Sequence, residues 1–275
     1  MKRKNTLSII ASAVILIVLI LLLLPGDNSL IDRLFLLERR EPSYWEYLGP
    51  DQALQVRVWD GFSEIPREKL EQDNLLQEQV LRDNLFGNFG GVIMKPEDGL
   101  LLISGTAEKN VWKGVDLSSL SIEKGTYFIS MGENVPEPGT FYVEAIRNGI
   151  YYRICDVAEQ NYFYVDPSRY ETYKFTVAVQ EGSNVDLTVY PMICKISGEN
   201  ILSRMSSLIL WKNVPKEKIS ARDEKIFLRS LSQYRYAEAC VVSYEDGTME
   251  AYRDFQKVSA ERDDLGMIVL GGQDG

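Results

Sequence analysis

Glu245, Asp246 and Glu250 are the nearest this sequence comes to a catalytic carboxylate pair. Two carboxylates held about 5 to 9.5 Å apart carry glycoside hydrolysis. Asp246-Gly247, however, has the composition of a tight turn, and a turn accounts for these residues without any chemistry. The chain contains no histidine, which removes Ser-His and Cys-His nucleophiles and histidine-ligated metals together. Asp98-Gly99 and Asp166-Pro167 are turn dipeptides, and neither lies in an Asp-x-Asp-x-Asp calcium loop. Gly87-Asn88-Phe89-Gly90-Gly91 follows a helical stretch and precedes a strand, the reverse of a phosphate cradle at a helix N-terminus. Cys155, Cys194 and Cys240 are too few and too scattered for a disulfide framework or a zinc site. One Cys155–Cys194 bridge remains open, with three buried or half-buried free thiols the favoured reading. The sequence implies no catalytic residue, no metal and no cofactor.

Aromatic residues are the better candidates, because sugar rings stack on exposed Tyr or Trp while neighbouring Glu, Arg or Asn bond their hydroxyls. The segments Phe141 to Arg147 and Ile150 to Asp156 flank Asn148-Gly149, the favoured pair for a two-residue hairpin turn. That turn sets Arg147 opposite Ile150, Ala145 opposite Tyr152, Glu144 opposite Arg153 and Val143 opposite Ile154. Phe141, Val143, Ala145, Ile150, Tyr152 and Ile154 then form the core face. Tyr142, Glu144, Ile146, Tyr151, Arg153 and Cys155 form the outer face, where a Glu144–Arg153 pair contributes about 0.2 to 1 kcal/mol. Tyr142, Glu144, Tyr151 and Arg153, with Trp112 and Tyr162 as looser additions, are the expected ligand-binding residues. The competing reading is that these tyrosines cover one sheet against flanking helices.

These residues must be positioned by a mainly β unit. Short apolar-alternating segments between Gly91 and Ile193 are punctuated by Asp98-Gly99, Gly105, Lys124-Gly125, Asn148-Gly149 and Gly182-Ser183-Asn184. Eight or nine strands in about 105 residues, with no helical period among them, predict a β-sandwich or jelly roll over 89–196. Asn84-Leu85-Phe86 at its entry, Ser104-Gly105-Thr106-Ala107, Lys124-Gly125-Thr126-Tyr127-Phe128-Ile129-Ser130 and the closing Val189-Tyr190-Pro191-Met192-Ile193 follow a recognisable order. Over about Asn84 to Lys195 the chain resembles the carbohydrate-binding-module-like jelly-roll domains of prophage structural proteins and surface proteins of Gram-positive bacteria. The resemblance implies a glycan-binding sandwich. Its motifs are turns and strands, so it carries over no binding residue.

Outside this unit, Lys2-Arg3-Lys4 precedes an uncharged run from Thr6 to Leu24. As a helix, Leu7 to Leu24 would extend roughly 27 Å, close to the hydrocarbon thickness of about 30 Å. Residues 1–26 are therefore expected to be a cytoplasmic tip and a transmembrane anchor contacting the lipid bilayer through 6–24. The basic residues before the span keep the N-terminus inside and the bulk of the chain extracytoplasmic. A cleaved signal peptide competes, but the apolar run is long for one and no small-x-small site follows it. Residues 27–88 would form a juxtamembrane segment with an aromatic patch at Tyr44, Trp45 and Tyr47. A short strand of alternating Leu54, Val56 and Val58 would follow, then a helix from Pro66 to Leu85, either a solvated spacer lying on the domain surface or a helix pairing with a partner.

After Ser197-Gly198 the period turns helical. Ile201, Met205, Leu208 and Ile209 share one face, and Asp223 caps a helix through Tyr236 whose buried side holds Ile226, Phe227, Leu231 and Tyr234. With the hairpin Ala239 to Tyr252, residues 197–270 read as a small αββ unit, followed by a frayed tail, 271–275. The charged fraction of 25% and apolar fraction of 45% are those of globular protein, and the net charge of −10 makes nucleic acid a poor partner. Two functions remain open. One is a non-catalytic module holding an envelope or extracellular carbohydrate. The other is an interaction subunit of an envelope assembly that makes or exports polysaccharide, with an envelope protein as partner.

Overall fold

Strands dominate the fold, and where one face meets solvent, as over Val92–Glu97, burial follows the alternation that the sequence spells. The computed structural model describes residues 54–59, 65–133, 137, 139–214, 238–254 and 256–271, all within one compact unit, Leu48–Gly275. The expected anchor at 6–24, the aromatic patch at Tyr44 to Tyr47, the helix from Asp223 to Tyr236 and the end of the tail lie outside the described residues. Among the described residues no helix is long and apolar enough to cross a membrane.

In chain order the elements are β1 (Leu54–Val58), α1 (Arg67–Gln72), α2 (Glu78–Leu85), β2 (Gly87–Phe89), β3 (Val92–Glu97), β4 (Leu100–Thr106), β5 (Val111–Asp116), β6 (Gly125–Ser130), β7 (Phe141–Arg147), β8 (Ile150–Asp156) and β9 (Tyr162–Val165). They continue as β10 (Thr172–Val179), β11 (Asn184–Val189), β12 (Met192–Ser197), β13 (Ser206–Val214), β14 (Ala239–Tyr244), β15 (Met249–Arg253), β16 (Gln256–Val258), β17 (Ala260–Arg262) and β18 (Ile268–Leu270).

Three sheets share one core. Their orders are β5-β10-β7-β8, β11-β4-β3-β2 and β12-β6-β9. The inward residues Val92, Met94, Leu101, Ile103, Val115, Tyr127, Ile129, Phe141, Val143, Phe163, Phe175 and Val177 form one cluster. Fully burying each such side chain contributes about 1.5–3 kcal/mol. β11 and β12 are separated only by Tyr190 and Pro191, and Pro191, having no N–H, interrupts one run so that its halves pair with β4 and β6. The sheet β12-β6-β9 is buried on both sides. Its opposite face, with Phe128, Tyr162, Met192 and Cys194, packs against Leu70, Leu265 and Met267.

Two helical expectations are corrected. The stretch from Pro66 to Leu85 is two helices, because Asn74 breaks it: its side chain accepts from the N–H of Leu76 and of Ile193 and donates to Pro191 O. Nor is it a solvated spacer, since Leu76, Leu81 and Leu85 enter the main core and Leu70 the second cluster. The helix expected from Ile201 is only a turn at Leu202–Arg204, followed by β13. Leu208, Ile209, Leu210 and Trp211 of β13 are all buried, as in a strand covered on both faces. β13 pairs antiparallel with β1 and parallel with β14 in the order β1-β13-β14-β15-β16. The C-terminal region is therefore a second sheet that recruits β1 from the N-terminal side; the expected hairpin forms as β14 and β15, and the helix expected before it lies outside the described residues. The parallel pair needs a crossover connection, which falls outside the described residues.

All three cysteines are buried and free. Burial pushes the Cys194 thiol up to about 12, and the other two thiols rise for the same first reason. A thiol is reactive only as thiolate. An aromatic disulfide reagent at pH 8 is therefore expected to titrate no thiol in the native chain and three after denaturation; rapid native labelling would contradict this packing.

Candidate functional site

The outer face of β5-β10-β7-β8 is built by side chains that alternate with core residues. Strand pairing lays them in rows: Trp112 beside Ala178; Gly114, Thr176, Tyr142 and Asp156; Asp116, Lys174, Glu144 and Arg153; then Thr172, Ile146 and Tyr151. At the first end of this face lies a groove of about 570 Å³, lined by Asn110, Trp112, Arg153, Asp156, Glu159 and Gln180 around Ala178 and Gly139. That volume falls within the size of small-molecule sites, about 300–1,000 Å³.

Trp112 is 61% exposed and pairs with Ala178. A Cβ at Gly114 would come within 1.9 Å of Phe175 O and 3.0 Å of Lys174 Cε, so close backbone approach restricts this position to glycine and lets the Lys174 side chain lie across it. Across the groove the Arg153 guanidinium lies 4.0 Å from the Tyr142 ring centroid, a cation–π contact. Its Nη1 is 3.3 Å from Asp156 Oδ2. Asp156 is only 5% exposed and also accepts from the N–H groups of Gly139 at 2.7 Å and Ala158 at 3.2 Å. Its charge is therefore hydrogen-bonded, as a buried carboxylate requires.

A single bulge creates this arrangement. The turn forms as expected, with Asn148 and Gly149 at φ 52° and 73°, and Arg147, Ala145 and Glu144 take the expected partners. Beyond Glu144 the register shifts, so Val143 meets Cys155 rather than Ile154 and Tyr142 meets Asp156. Gln160 holds the bulge: its Nε2 donates to Ile154 O at 3.0 Å, and the Cys155 thiol donates to Gln160 O. The extra residue turns Cys155 into the core and Asp156 onto the outer face.

The expected site residues separate accordingly. Trp112 and Arg153 line the groove. Tyr142 is 3% exposed beneath Arg153 and orients the guanidinium; burial first, then Glu144, raises its phenol pKa. Glu144 accepts from Thr176 Oγ1 at 3.1 Å, and the expected ion pair of Arg153 goes to Asp156 instead. Tyr151 is exposed but lies at the other end of the face, opposite Ile146. Tyr162 is fully buried against Phe128 in the second cluster, where no ligand reaches it. Ile150 and Tyr152, assigned to the core by alternation, are 56% and 42% exposed because the hairpin extends past it. Asn110, Asp156, Glu159 and Gln180 had no signal in the sequence, since their meeting depends on the bulge and on the pairing of β5 with β10.

Two of the C-terminal carboxylates, Asp246 and Glu250, are engaged in hydrogen bonds. Asp246 Oδ1 accepts from Thr248 N and Oγ1, closing the turn. Glu250 accepts from Tyr244 Oη at 2.7 Å, Tyr252 Oη at 3.2 Å and Lys257 Nζ at 2.6 Å. No family model matches the chain, and no curated protein or solved structure matches it significantly.

Burial acts to raise the Glu250 pKa, but its bonds to Lys257 and the two tyrosines outweigh this and hold it below the ordinary 4.5. A depressed folded pKa gives stabilisation that is present above the unfolded value and lost as pH falls through the folded one. Glu250→Gln is expected to lower unfolding free energy by about 1–2 kcal/mol at pH 7. In urea titrations that difference should shrink below pH 4; an equal difference at both pH values would refute this role for the charge.

Proposed function

We propose that this chain is a membrane-anchored, extracytoplasmic, non-catalytic protein whose jelly-roll sandwich holds an envelope or extracellular carbohydrate in the groove beside Trp112. The jelly-roll reading rests on strand order: β5-β10-β7-β8 faces a wall in which β11 and β12 join β4 to β6, and all share one core. The anchor rests on the uncharged run from Thr6 to Leu24.

The observation that carries the ligand class is Trp112, a mostly exposed indole beside Ala178 in the groove. A flat apolar ring bordered by amide, carboxylate and guanidinium groups suits a sugar, which offers a C–H face and a rim of hydroxyls. Among the residues that line the groove, two carboxylates, Asp156 and Glu159, stand against one guanidinium, Arg153, which favours neutral or amino sugars over uronates. The alternative, an interaction subunit of a polysaccharide synthesis or export complex, draws support from the second sheet, which borders a groove of its own of about 520 Å³ lined by Trp59, Arg67, Glu238, Arg253, Asp263 and Asp264. It expects a discrete crosslinked partner in intact membranes.

The detergent-solubilised full-length chain is expected to be retained by a subset of neutral or amino-sugar polysaccharides on a glycan array. Trp112→Ala should weaken retention about tenfold, equivalent to about 1.4 kcal/mol, with an unchanged melting temperature. Failure of the parent chain to bind any glycan, or full binding by the variant, would overturn the assignment.

A further inference from the structure

The hairpin tip at the opposite end of the same sheet is unlike the rest of the surface. Ile150, Tyr151 and Tyr152 are 56%, 60% and 42% exposed, three consecutive residues of β8, which ends its sheet. Tyr151 lies on the outer face with Ile146, whereas Ile150 and Tyr152 lie on the other, opposite Arg147 and Ala145. The tip is therefore apolar on both faces. It is also held rigidly, since Tyr152 packs on Tyr170 at 5.8 Å and Tyr170 on the buried Tyr173 at 5.9 Å.

Two arginines stand beside it: Arg147 opens the turn, and the Arg169 guanidinium lies 5.3 Å from the Tyr170 ring centroid. The near carboxylates are already engaged, Glu171 accepting from Asn148 N and Asp166 from the N–H and hydroxyl of Ser168.

We infer that this tip is a second membrane contact, resting on the proposed anchor as the first, in which Ile150, Tyr151 and Tyr152 enter the headgroup region of the bilayer and Arg147 and Arg169 meet lipid phosphates. Tyrosine and arginine suit that layer, placing an apolar body inward and a polar end at phosphate level. A partner strand adding to the β8 edge would satisfy backbone groups but cover neither face fully, whereas a bilayer surrounds the tip on all sides. β7 runs from the groove to the tip, about 20 Å for its seven residues. Docking the tip therefore turns the Trp112 groove away from the membrane. This inference does not depend on the ligand of that groove.

The test uses the full-length chain in phosphatidylcholine–phosphatidylglycerol vesicles with a nitroxide at Gly149→Cys or, as control, Gly182→Cys in the turn at the other end of the sheet. Both glycines have open space around a Cβ, the strain of a cysteine at their left-handed φ falls on both labels alike, and the native thiols are buried. The oxygen-to-nickel-chelate accessibility ratio is expected to be severalfold higher at 149 than at 182, and to fall when Ile150→Ser and Tyr151→Ser are combined. Charge reversal by Arg147→Glu with Arg169→Glu should give a similar loss. Because all four side chains are at the surface, the melting temperature should hold. Aqueous accessibility at both labels, equal immersion of both, or dipolar broadening between tips at high lipid dilution, which would mean pairing of two copies, would each overturn the inference.

Discussion

Every residue of β6 is buried, and the fold depends on how that strand is satisfied from both sides. Tyr127 and Ile129 point into the main core while Phe128 enters the second cluster. The two polar residues of the strand are paired: Thr126 Oγ1 donates to Glu199 O and Ser130 Oγ to Leu265 O. An unpaired hydroxyl in such a place would cost roughly 1–3 kcal/mol. The segments at Glu199 and Leu265 are thereby held against the wall, and with them the approach to β13 and β18. Asn74 acts alike on the N-terminal side, its amide bridging Leu76, Pro191 and Ile193. The second sheet and the helices are thus joined to the wall by a few buried polar groups as well as by apolar packing.

This two-sided wall explains what the sequence made legible. Turn chemistry was readable, and Asn148-Gly149, Asp98-Gly99 and Asp246-Gly247 all sit at the turns their composition implies. Elements with one wet face were readable too, as in the alternating burial of β3. Residues 201–211 were not. Ile201, Met205, Leu208 and Ile209 satisfy a helical spacing, yet a strand buried on both faces shows no alternation to contradict it. What makes it a strand is pairing with β1, about 150 residues earlier, and with β14. Tyr162 fails for the same reason: an aromatic beside a turn reads as surface unless the second layer is known.

The candidate site was half legible. Trp112 and Arg153 stand where their strand positions put them, because β5 and the turn-proximal part of β8 keep strict alternation. The polar partners required knowledge of which strands are neighbours. β5 and β10 are far apart in sequence, and nothing local says that Asn110 and Gln180 meet beside the indole.

The bulge at Ile154 was beyond any periodic reading, and it decides the character of the surface. Under strict alternation Ile154 would face the core and Cys155 the solvent, leaving Asp156 pointing inward beneath Phe141, an uncompensated charge of the kind interiors exclude. One inserted residue reverses both: the thiol goes to the core and the carboxylate to the edge of the groove, where Gly139 and Ala158 receive it. The freed carbonyl of Ile154 then needs a donor, and Gln160 supplies it. The order Arg153-Ile154-Cys155-Asp156 is therefore consistent only with a bulged strand. The same displacement that protects the core places Asp156 against the guanidinium that Tyr142 supports.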